Sequence, residues 1–334
     1  MIEIKGKSNI VVKVVYDSVS PSGIRLTTLE LQYPRIIHSE LMTHRMLSRN
    51  AASSRAIPFE KMLKQLDGKP VRFGAANKGM QDKGEDFDGV VYWEGDYPVS
   101  AKDFWDIVKD DAVDSANMLY QAGYHKQVYN RLLEPFQMIK TVVTATEWNN
   151  FFHLRLDGAA DPTIYELAHC MKEAMDKSVP QELQPGEWHL PYVLFNREYP
   201  TNEAAYSFVD PYDKDLTLDQ AVKVSAARCA AVSFRNEDYG LEKCLEVYDR
   251  LVGDERVHAS ALEHQATPMK APTSVVAYQQ YVDSSLGDAS YNGDKESWWE
   301  VGVTHADRSG DLWSGNLRNW IQHRQLIPNH VKKG

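Results

Sequence analysis

The side chains with the clearest chemical potential lie in one short segment, THRMLSRNAASSR, at residues 43–55. It joins the imidazole of His44 to the guanidinium groups of Arg45 and Arg55, with hydroxyl and amide groups between them. A guanidinium fork matches the oxygens of a phosphate or of pyrimidine carbonyls. The segment therefore favours a site for a small anionic ligand, and the alternative interpretation is a solvated helix end with its turn.

Two later segments add further arginines. The segment AGYHKQVYNRLLEP, residues 122–135, contains Arg131, and the segment EWNNFFHLR, residues 147–155, contains Asn150 and Arg155. These arginines either extend an anion site or make exposed ion pairs, which contribute little to stability.

A third group lies near the other end of the chain. The segment AARCAAVSF, residues 226–234, is followed by HASALEH, residues 258–264, which offers two imidazoles, a hydroxyl and a carboxylate. Histidines six positions apart do not share a helix face, and no third ligand follows at a recognised spacing. We therefore expect no metal site, and we expect His264 to be a core histidine.

A β-hairpin is the element predicted to position the first segment. Two runs with alternating apolar residues, 11–16 and 25–33, flank a turn rich in serine, proline and glycine. Pro34 ends the second strand because proline cannot donate to a central ladder. Ser39 then predicts the N-cap of a helix that runs through His44.

Helical spacing of apolar residues predicts most other elements. The predicted helices cover residues 102–122, 141–156, a stretch that begins at Pro162, a stretch that begins with the capping box at Thr217, and 241–252 with Gly253 as C-cap. Residues 67–100 are predicted to form an exposed excursion, because they are rich in glycine, aspartate and lysine.

Composition limits the class of protein. The chain has 334 residues, of which 43% are apolar and 25% charged, and a net charge of -10. These values suit a soluble protein and argue against one that coats nucleic acid. There is no apolar run long enough to cross a membrane, and the start MIEIKGKSN does not resemble a signal peptide. The sparse cysteines lack metal-ligand spacing, so we expect buried thiols in a reducing cytoplasm: Cys170, Cys229 and Cys244.

Together these segments resemble the flavin-dependent thymidylate synthases. That family carries Arg-His-Arg, a serine, and then Asn-Glu-x-Ser-x-Arg; residues 43–55 keep the histidine, the second arginine, both serines, the asparagine and the last arginine. Residues 122–135 are similar to the family's turn with a nucleotide-binding arginine, and residues 147–155 to its helix ending in Phe-Leu-x-Leu-Arg. Residues 226–234 and 258–264 resemble its Ala-Ala-Arg-x-Ser helix and its His-x-Ser/Thr-Pro-x-Glu-His motif.

The resemblance implies an α+β fold with a central antiparallel sheet flanked by helices. It implies transfer of one carbon to C5 of a pyrimidine deoxynucleotide, most simply dUMP to dTMP, with FAD as cofactor and NADPH and methylenetetrahydrofolate as co-substrates. It also implies a homo-oligomer, a dimer or a tetramer, because family members build their sites at subunit interfaces. No cysteine nucleophile is required, because the flavin carries the redox work.

Carried over residue by residue, the resemblance assigns Arg155 and Ser53 to catalysis. The implied substrate-binding residues are Glu40, Asn50, Ser53, Ser54, Arg55, Arg131 and Arg155. The implied cofactor-binding residues are His44, Arg45, Asn150, Ser233, His258, Ser260 and Glu263. In this assignment Arg55 and Arg131 hold the phosphate of the nucleotide, and Arg155 faces the pyrimidine.

The order of these segments differs from that of the family, whose opening block corresponds to residues 226–264 and comes last here. Circular permutation explains this order, and so does internal duplication, which the altered repeat RNWIQHR at residues 318–324 supports. We therefore predict a first half at residues 1–180, a connector at 181–216 and a second half at 217–334.

Several positions depart from the family pattern. Thr43 replaces the first arginine of the triplet, Glu40 replaces a glutamine, and Ala51 replaces the glutamate after the asparagine. Thr144 and Thr146 stand where asparagine and arginine contact FAD in the family. These changes leave three functions open: a thymidylate synthase, a methylase or hydroxymethylase of another pyrimidine nucleotide such as dCMP, and a non-enzymatic binder of nucleotide or flavin.

Overall fold

The computed structural model describes residues 2–79, 81–82, 84–195, 206–208, 215–232, 240–253, 257–277 and 299–331. It is a mixed structure of antiparallel sheets and helices, compatible with the α+β prediction. The strands are β1 (Glu3–Lys5), β2 (Val11–Val19), β3 (Arg25–Pro34), β4 (Ser48–Ala51), β5 (Val90–Trp93), β6 (Tyr97–Ser100), β7 (Met138–Ala145), β8 (Gln181–Glu182), β9 (Val193–Phe195), β10 (Tyr206–Phe208), β11 (Asp215–Leu216), β12 (Ala266–Pro268), β13 (His305–Ala306), β14 (Leu312–Ser314), β15 (Leu317–Arg318) and β16 (Trp320–Gln322). The α-helices are α1 (His38–Met42), α2 (Phe59–Leu63), α3 (Ala101–Gln121), α4 (Lys126–Leu132), α5 (Asn149–Arg155), α6 (Pro162–Lys177), α7 (Leu218–Ala230) and α8 (Leu241–Val252). Short 3₁₀ helices cover Arg35–Ile37, Glu134–Phe136, Ala259–Glu263 and His323–Leu326.

The central sheet has the order β1-β2-β3-β7-β4, and all these neighbours are antiparallel. The predicted hairpin of β2 and β3 is confirmed. Gly23 lies in its turn with a φ of 80°, a conformation that glycine adopts without a Cβ clash. Thr28 on β3 lies opposite Thr144 on β7, and the next residue, Leu29, lies opposite Val143. Because successive side chains point to opposite faces, the leucine and the valine share one face and the threonines the other.

The face with Leu29 is apolar and packs against α5 and α6. Side chains such as Leu31 and Val143 belong to one buried cluster with Ile164 and other residues of α6. That helix starts at Pro162, as predicted, and the Asp161 side chain caps it by accepting hydrogen bonds from its first turn. Each fully buried leucine or isoleucine contributes about 1.5–3 kcal/mol, so this cluster holds α5 and α6 on the sheet.

The opposite face carries a chain of buried polar side chains. Hydrogen bonds of 2.6–2.9 Å link Ser18 to His189, His189 to Thr28, Thr28 to Thr144, and Thr144 to His264. All five side chains are fully buried. Burial lowers the pKa of both histidines to about 3, so both rings are neutral. The prediction that His264 is a core histidine is confirmed.

The residues between β4 and β7 form a helical part with its own core. That core joins Phe59 of α2, Ala116 of α3 and Tyr129 of α4. The predicted helix at 102–122 is confirmed as α3, and Ser100 caps its first turn. The strands β5 and β6 form a hairpin inside the predicted excursion.

The C-terminal part packs α7 against α8, and the predicted capping box at Thr217 and C-cap at Gly253 are confirmed. It contacts the central sheet through Ser48 on β4, which donates to Asn316 Oδ1 at 3.1 Å. All three cysteines are buried thiols, as expected: Cys170, Cys229 and Cys244. Within the described residues, no helix is both long and apolar enough to cross a membrane.

The prediction of a helix over residues 141–156 is wrong. Met138–Ala145 is the strand β7, and α5 begins only at Asn149. The run MIKTVVTA is rich in β-branched residues, lies between β3 and β4, and is buried at every position except Lys140. A strand buried on both faces is apolar at consecutive positions, so its hydrophobic pattern resembles that of a buried helix.

The predicted cap of α1 is also wrong. This helix begins at His38 after Ile37, without a side-chain capping bond, and Ser39 lies within its first turn. The chain already turns at Arg35–Ile37, directly after Pro34, and that 3₁₀ turn leads into α1. Residues of the predicted connector include the short strands β8 to β11.

Candidate functional site

The connection from β3 to β4 crosses the apolar face of the central sheet. Both strands pair with β7, one on each side, and both are antiparallel to it, so they run in the same direction. Ile37, Leu41 and Leu47 of this connection belong to the apolar cluster under it. Their burial leaves Glu40 and His44 on the outer side, where both are partly exposed.

Arg155, the last residue of α5, is hydrogen-bonded to this connection. Its Nε donates to His44 Nε2 at 2.9 Å, its Nη1 donates to Glu40 Oε2 at 3.3 Å, and its Nη2 donates to Thr43 Oγ1 at 3.4 Å. The buried ring of Phe151, one turn earlier in α5, lies edge-on to His44 with centroids 4.9 Å apart. We call Glu40, Thr43, His44 and Arg155 the Arg155 cluster.

The hydrogen bond from Arg155 determines the state of the imidazole. Because His44 accepts at Nε2, its proton resides on Nδ1. Burial lowers the pKa of His44, and the positive charges of Arg155 and Arg49 lower it further. The ring is therefore neutral near pH 7.

The carboxylate of Glu40 experiences opposing influences. Burial raises its pKa, and so does the negative charge of Asp161, whereas Arg155 lowers it. The ion pair with Arg155 keeps this carboxylate close to the guanidinium. A carboxylate here can accept hydrogen bonds from a ligand, but once ionised it cannot donate one.

Arg49 of β4 also forms hydrogen bonds with the β3–β4 connection. Its Nη1 donates to the carbonyl oxygens of Leu41, Met42 and His44, at 3.3, 3.0 and 2.7 Å. Burial lowers the pKa of Arg49, and the carboxylate of Glu263 opposes that shift. The guanidinium therefore bonds to the His44 turn and is also within the electrostatic influence of Glu263, at the end of the 3₁₀ helix Ala259–Glu263.

Glu263 forms an ion pair with Arg324 from the C-terminal part of the chain. The Nε of Arg324 is buried and has no hydrogen-bond partner in the described part of the structure. Arg49, Arg155 and Arg324 thus share their surroundings with the carboxylates of Glu40 and Glu263, and Asp161 adds a further negative charge near Glu40.

A second group of predicted residues lies where the segment after β4 meets α4. The Ser54 hydroxyl donates to Glu134, and its carbonyl accepts a hydrogen bond of 2.8 Å from Asn130 Nδ2. Arg55 and Arg131 adjoin these two contacts in the sequence and are exposed. Neither arginine has a polar partner among the residues that the structure describes. We call Ser53, Ser54, Arg55 and Arg131 the Arg55–Arg131 region.

The other predicted residues are not members of these two groups. Asn50 Nδ2 donates to the carbonyl of Cys229 at 3.1 Å, which ties β4 to α7. Four predicted cofactor ligands are exposed: Arg45, Asn150, His258 and Ser260. Ser233 lies outside the described residues.

Thr144, in β7, and Thr146, just after it, depart from the pattern of that family, and both are hydrogen-bonded within the protein. Thr144 is buried and bonded to Thr28 and His264. Thr146 Oγ1 accepts a hydrogen bond of 3.1 Å from the backbone N–H of Arg318. The Thr144 hydroxyl is therefore not available to a flavin in this arrangement.

Arg49, Glu134 and Arg324 were not among the predicted site residues, although each contacts or faces one of them. Arg49 lies inside the segment 43–55, so its type and place were visible in the sequence. What the sequence did not show is that its side chain turns back onto the preceding helix.

Two cavities lie outside the Arg155 cluster. One, of about 590 Å³, is lined mainly by apolar residues of the C-terminal part, including Met269, Trp299 and Ile321. Another, of about 370 Å³, adjoins the start of α6 and includes Leu156, the residue after Arg155. The two sets of lining residues include no member of the Arg155 cluster, so we define the candidate site by its polar contacts and not by cavity volume.

No protein-family model matches this chain, and no curated protein is significantly similar to it in sequence. Across the described ranges, no group of three or more histidine, cysteine, aspartate and glutamate residues could hold a metal ion. The arrangement offers a held guanidinium, a neutral imidazole and a carboxylate at one place, with further exposed arginines elsewhere. Such groups can bind an anion, polarise a carbonyl and accept a proton.

Proposed function

We propose that this chain transfers a one-carbon unit to C5 of a pyrimidine deoxynucleotide, with dUMP as substrate and dTMP as product, and that its fold is that of the flavin-dependent thymidylate synthases. The main support is the Arg155 cluster. Arg155 bonds to His44 across 111 positions and to Glu40 across 115 positions. All three residues were predicted to line the site, Glu40 and His44 from the β3–β4 connection and Arg155 from α5, and Arg155 donates a hydrogen bond to each of the other two.

The chemistry of Arg155 suits this reaction. C5 attacks a carbon donor from an enolate form of the pyrimidine, in which negative charge lies on the C4 carbonyl oxygen, and a guanidinium stabilises that charge. In the proposed complex one or more N–H groups of Arg155 exchange their present acceptors within the protein for a carbonyl oxygen of the base. His44 and Glu40 keep the guanidinium plane oriented while it does so.

The Arg55–Arg131 region supports binding of the nucleotide phosphate. Two exposed guanidinium groups without polar partners in the described chain can donate to one phosphate, and such charge-assisted bonds are strong. Ser53 is assigned to the same ligand and, with Arg155, to catalysis. The proposed division is therefore phosphate binding at one region and polarisation of the base at the other.

The exposed donors also fit an anionic dinucleotide cofactor. Arg45 and Asn150 have no polar partner in the described parts of the chain, and neither do the side chains of His258 and Ser260. We propose that these four residues, with His44, Glu263 and Ser233, hold FAD. Bound FAD would supply the redox chemistry, with NADPH as reductant and methylenetetrahydrofolate as carbon donor.

One observation favours a second candidate, a methylase or hydroxymethylase of dCMP. Glu40 presents a carboxylate beside Arg155. A carboxylate accepts from the N4 amino group of cytosine, whereas O4 of uracil requires a donor. In this proposal, the protonation state and hydrogen bonding of Glu40 govern the choice between dUMP and dCMP.

The test uses purified full-length protein with FAD, NADPH and methylenetetrahydrofolate, and measures products from dUMP and from dCMP by chromatography and mass spectrometry. Retention of flavin, seen in the visible spectrum, together with dTMP formation supports the proposal. Product from dCMP alone selects the second candidate. Nucleotide binding without product under any donor selects a non-enzymatic binder, and absence of both binding and product refutes the proposal.

The proposal includes a homo-oligomer, a dimer or a tetramer, in which neighbouring subunits complete the site. Analytical ultracentrifugation with and without nucleotide measures that state directly. A monomer that turns over substrate would contradict the oligomeric part of the proposal alone.

A further inference from the structure

The end of the short helix α1 and the turn after it accept hydrogen bonds from a side chain outside the helix, in addition to backbone bonds such as that from the N–H of Leu47 to the carbonyl of His44. The last carbonyl groups of any α-helix lack partners within the helix. Here the backbone N–H of Thr43 reaches back to Glu40 and Leu41. The carbonyls of Leu41, Met42 and His44 all accept hydrogen bonds from Arg49 Nη1.

Arg49 is anchored in the central sheet. It lies on β4 opposite Val143 of β7, a strand that pairs on both sides. Its side chain is partly buried, and the carboxylate of Glu263 faces it. A partly buried arginine with several acceptors loses little further freedom when the site binds a ligand.

The carbonyls that Arg49 holds belong to the turn that carries the Arg155 cluster. Glu40, Thr43 and His44 lie on this five-residue helix and its turn, and all three accept from Arg155. A helix this short is not stable by itself. If this turn moves, the imidazole of His44 moves with it, and the hydrogen bond from Arg155 Nε to His44 Nε2 is weakened.

We propose that Arg49 is a positioning residue, which connects the central sheet to the His44 turn and thereby fixes the direction of the Arg155 guanidinium. The inference rests on the proposed function only for its activity measurement. Its structural measurement stands without any substrate.

A purely structural role for Arg49 makes a different prediction, and the chain offers a matched control. Arg25 on β3 is also partly buried and also donates to carbonyls at a helix end, those of Met175 and Ser178. It additionally pairs with Asp17. Arg25→Met removes a comparable set of bonds, and none of them involves the His44 turn.

The decisive measurement is the exchange of the Arg155 Nε–H with water, observed by ¹⁵N NMR at mildly acidic pH. The spectrum of Arg155→Lys assigns this signal by its absence. We expect Arg49→Met to accelerate the exchange at least about tenfold, as for loss of a charged hydrogen bond, and Arg25→Met to leave it unchanged. Unchanged exchange in a folded Arg49→Met overturns the inference, and so does equal acceleration in Arg25→Met.

Arg49→Lys provides a second variant if Arg49→Met does not fold. Lysine keeps the charge and can reach the nearest carbonyl, that of His44, but not all three. We expect the exchange rate of the Arg155 Nε–H in Arg49→Lys to be faster than in the wild type and slower than for loss of all the bonds from Arg49. Wild-type exchange in Arg49→Lys overturns the inference.

In turnover assays we expect Arg49→Lys to lower kcat about tenfold or more while KM changes less than threefold, because positioning acts on the reacting geometry. A rise in KM of about tenfold or more with unchanged kcat would contradict a positioning role for Arg49. If the wild-type protein forms no product, the proposed function fails, and the NMR result still decides the inference about Arg49.

Discussion

The Arg155 cluster and the Arg55–Arg131 region are both built on arginine, but their guanidinium groups are in opposite situations. Arg155 uses its donors within the protein, on His44, Glu40 and Thr43. Arg55 and Arg131 are exposed and have no polar partner within the described ranges. A held arginine is oriented before a ligand arrives, whereas an exposed one loses side-chain entropy when it binds.

This difference suggests a division of labour. An oriented group contributes most where charge develops during the reaction, and therefore to kcat. A mobile charged group contributes mainly to capture of a charged ligand, and therefore to KM. The following variants break or sharpen that contrast.

The largest effect is expected at the cluster. Replacement of Arg155 by alanine removes the polarising group, and we expect kcat to fall about 10²–10³-fold with the fold retained. Rate measurements at saturating nucleotide, with circular dichroism for the fold, check this. Arg155→Lys keeps the charge but loses the planar guanidinium, so its kcat should lie between that of the wild type and that of Arg155→Ala. Full turnover in a folded Arg155→Ala would refute the catalytic assignment of Arg155.

In the exposed region we expect the effect on binding to dominate. Arg55→Ala or Arg131→Ala should raise KM for the nucleotide about 10–100-fold, because each removes a charge-assisted bond to phosphate. Arg250→Ala on α8 is the control, since Arg250 is exposed and pairs only weakly with Glu246. If kcat fell and KM stayed constant, the contrast between the two regions would be lost.

A smaller effect is expected at Glu40, where one atom changes. Glu40→Gln converts an acceptor into a group that can also donate, so we expect the ratio of dUMP to dCMP turnover to rise about tenfold. Competition assays with both nucleotides measure this ratio. An unchanged ratio would show that Glu40 does not face the base, and Glu60→Gln on the exposed surface of α2 provides the control.

A separate effect concerns the pH dependence of stability, and it distinguishes a core histidine from an exposed one. The pKa of His264 is lowered to about 3, whereas an unfolded histidine titrates near 6.5. The unfolded chain therefore binds the proton first, and stability is lost as the pH falls from about 6.5 towards 3, by up to roughly 1.4 kcal/mol per pH unit. Urea unfolding of the wild type at a series of pH values measures this slope.

His264→Gln should reduce that slope, because glutamine can still form a hydrogen bond with Thr144 but does not titrate. His153→Gln, at an exposed position of α5, should leave the slope unchanged. A slope that is the same in all three proteins would show that burial of His264 does not govern acid unfolding.

The local elements followed well from the sequence where a signal acts over a few residues. The alternation before Pro34, Pro162 at the start of α6 and the capping box at Thr217 each led to the observed element. These signals depend on backbone geometry within one or two turns. The strand β7 was missed because burial on both faces removes the alternation that identifies a strand.

The candidate site divides in the same way. The sequence by itself determined which residues carry chemistry, since the types and spacing at residues 43–55 and 147–155 already showed the imidazole and the arginines. Only the tertiary structure decided which of them meet. It turned Arg155 onto His44, paired Glu263 with Arg324 and directed Arg49 back onto α1. The reason is physical: these contacts depend on how α5, the β3–β4 crossover and the C-terminal part pack on one sheet, and local spacing carries no information about that packing.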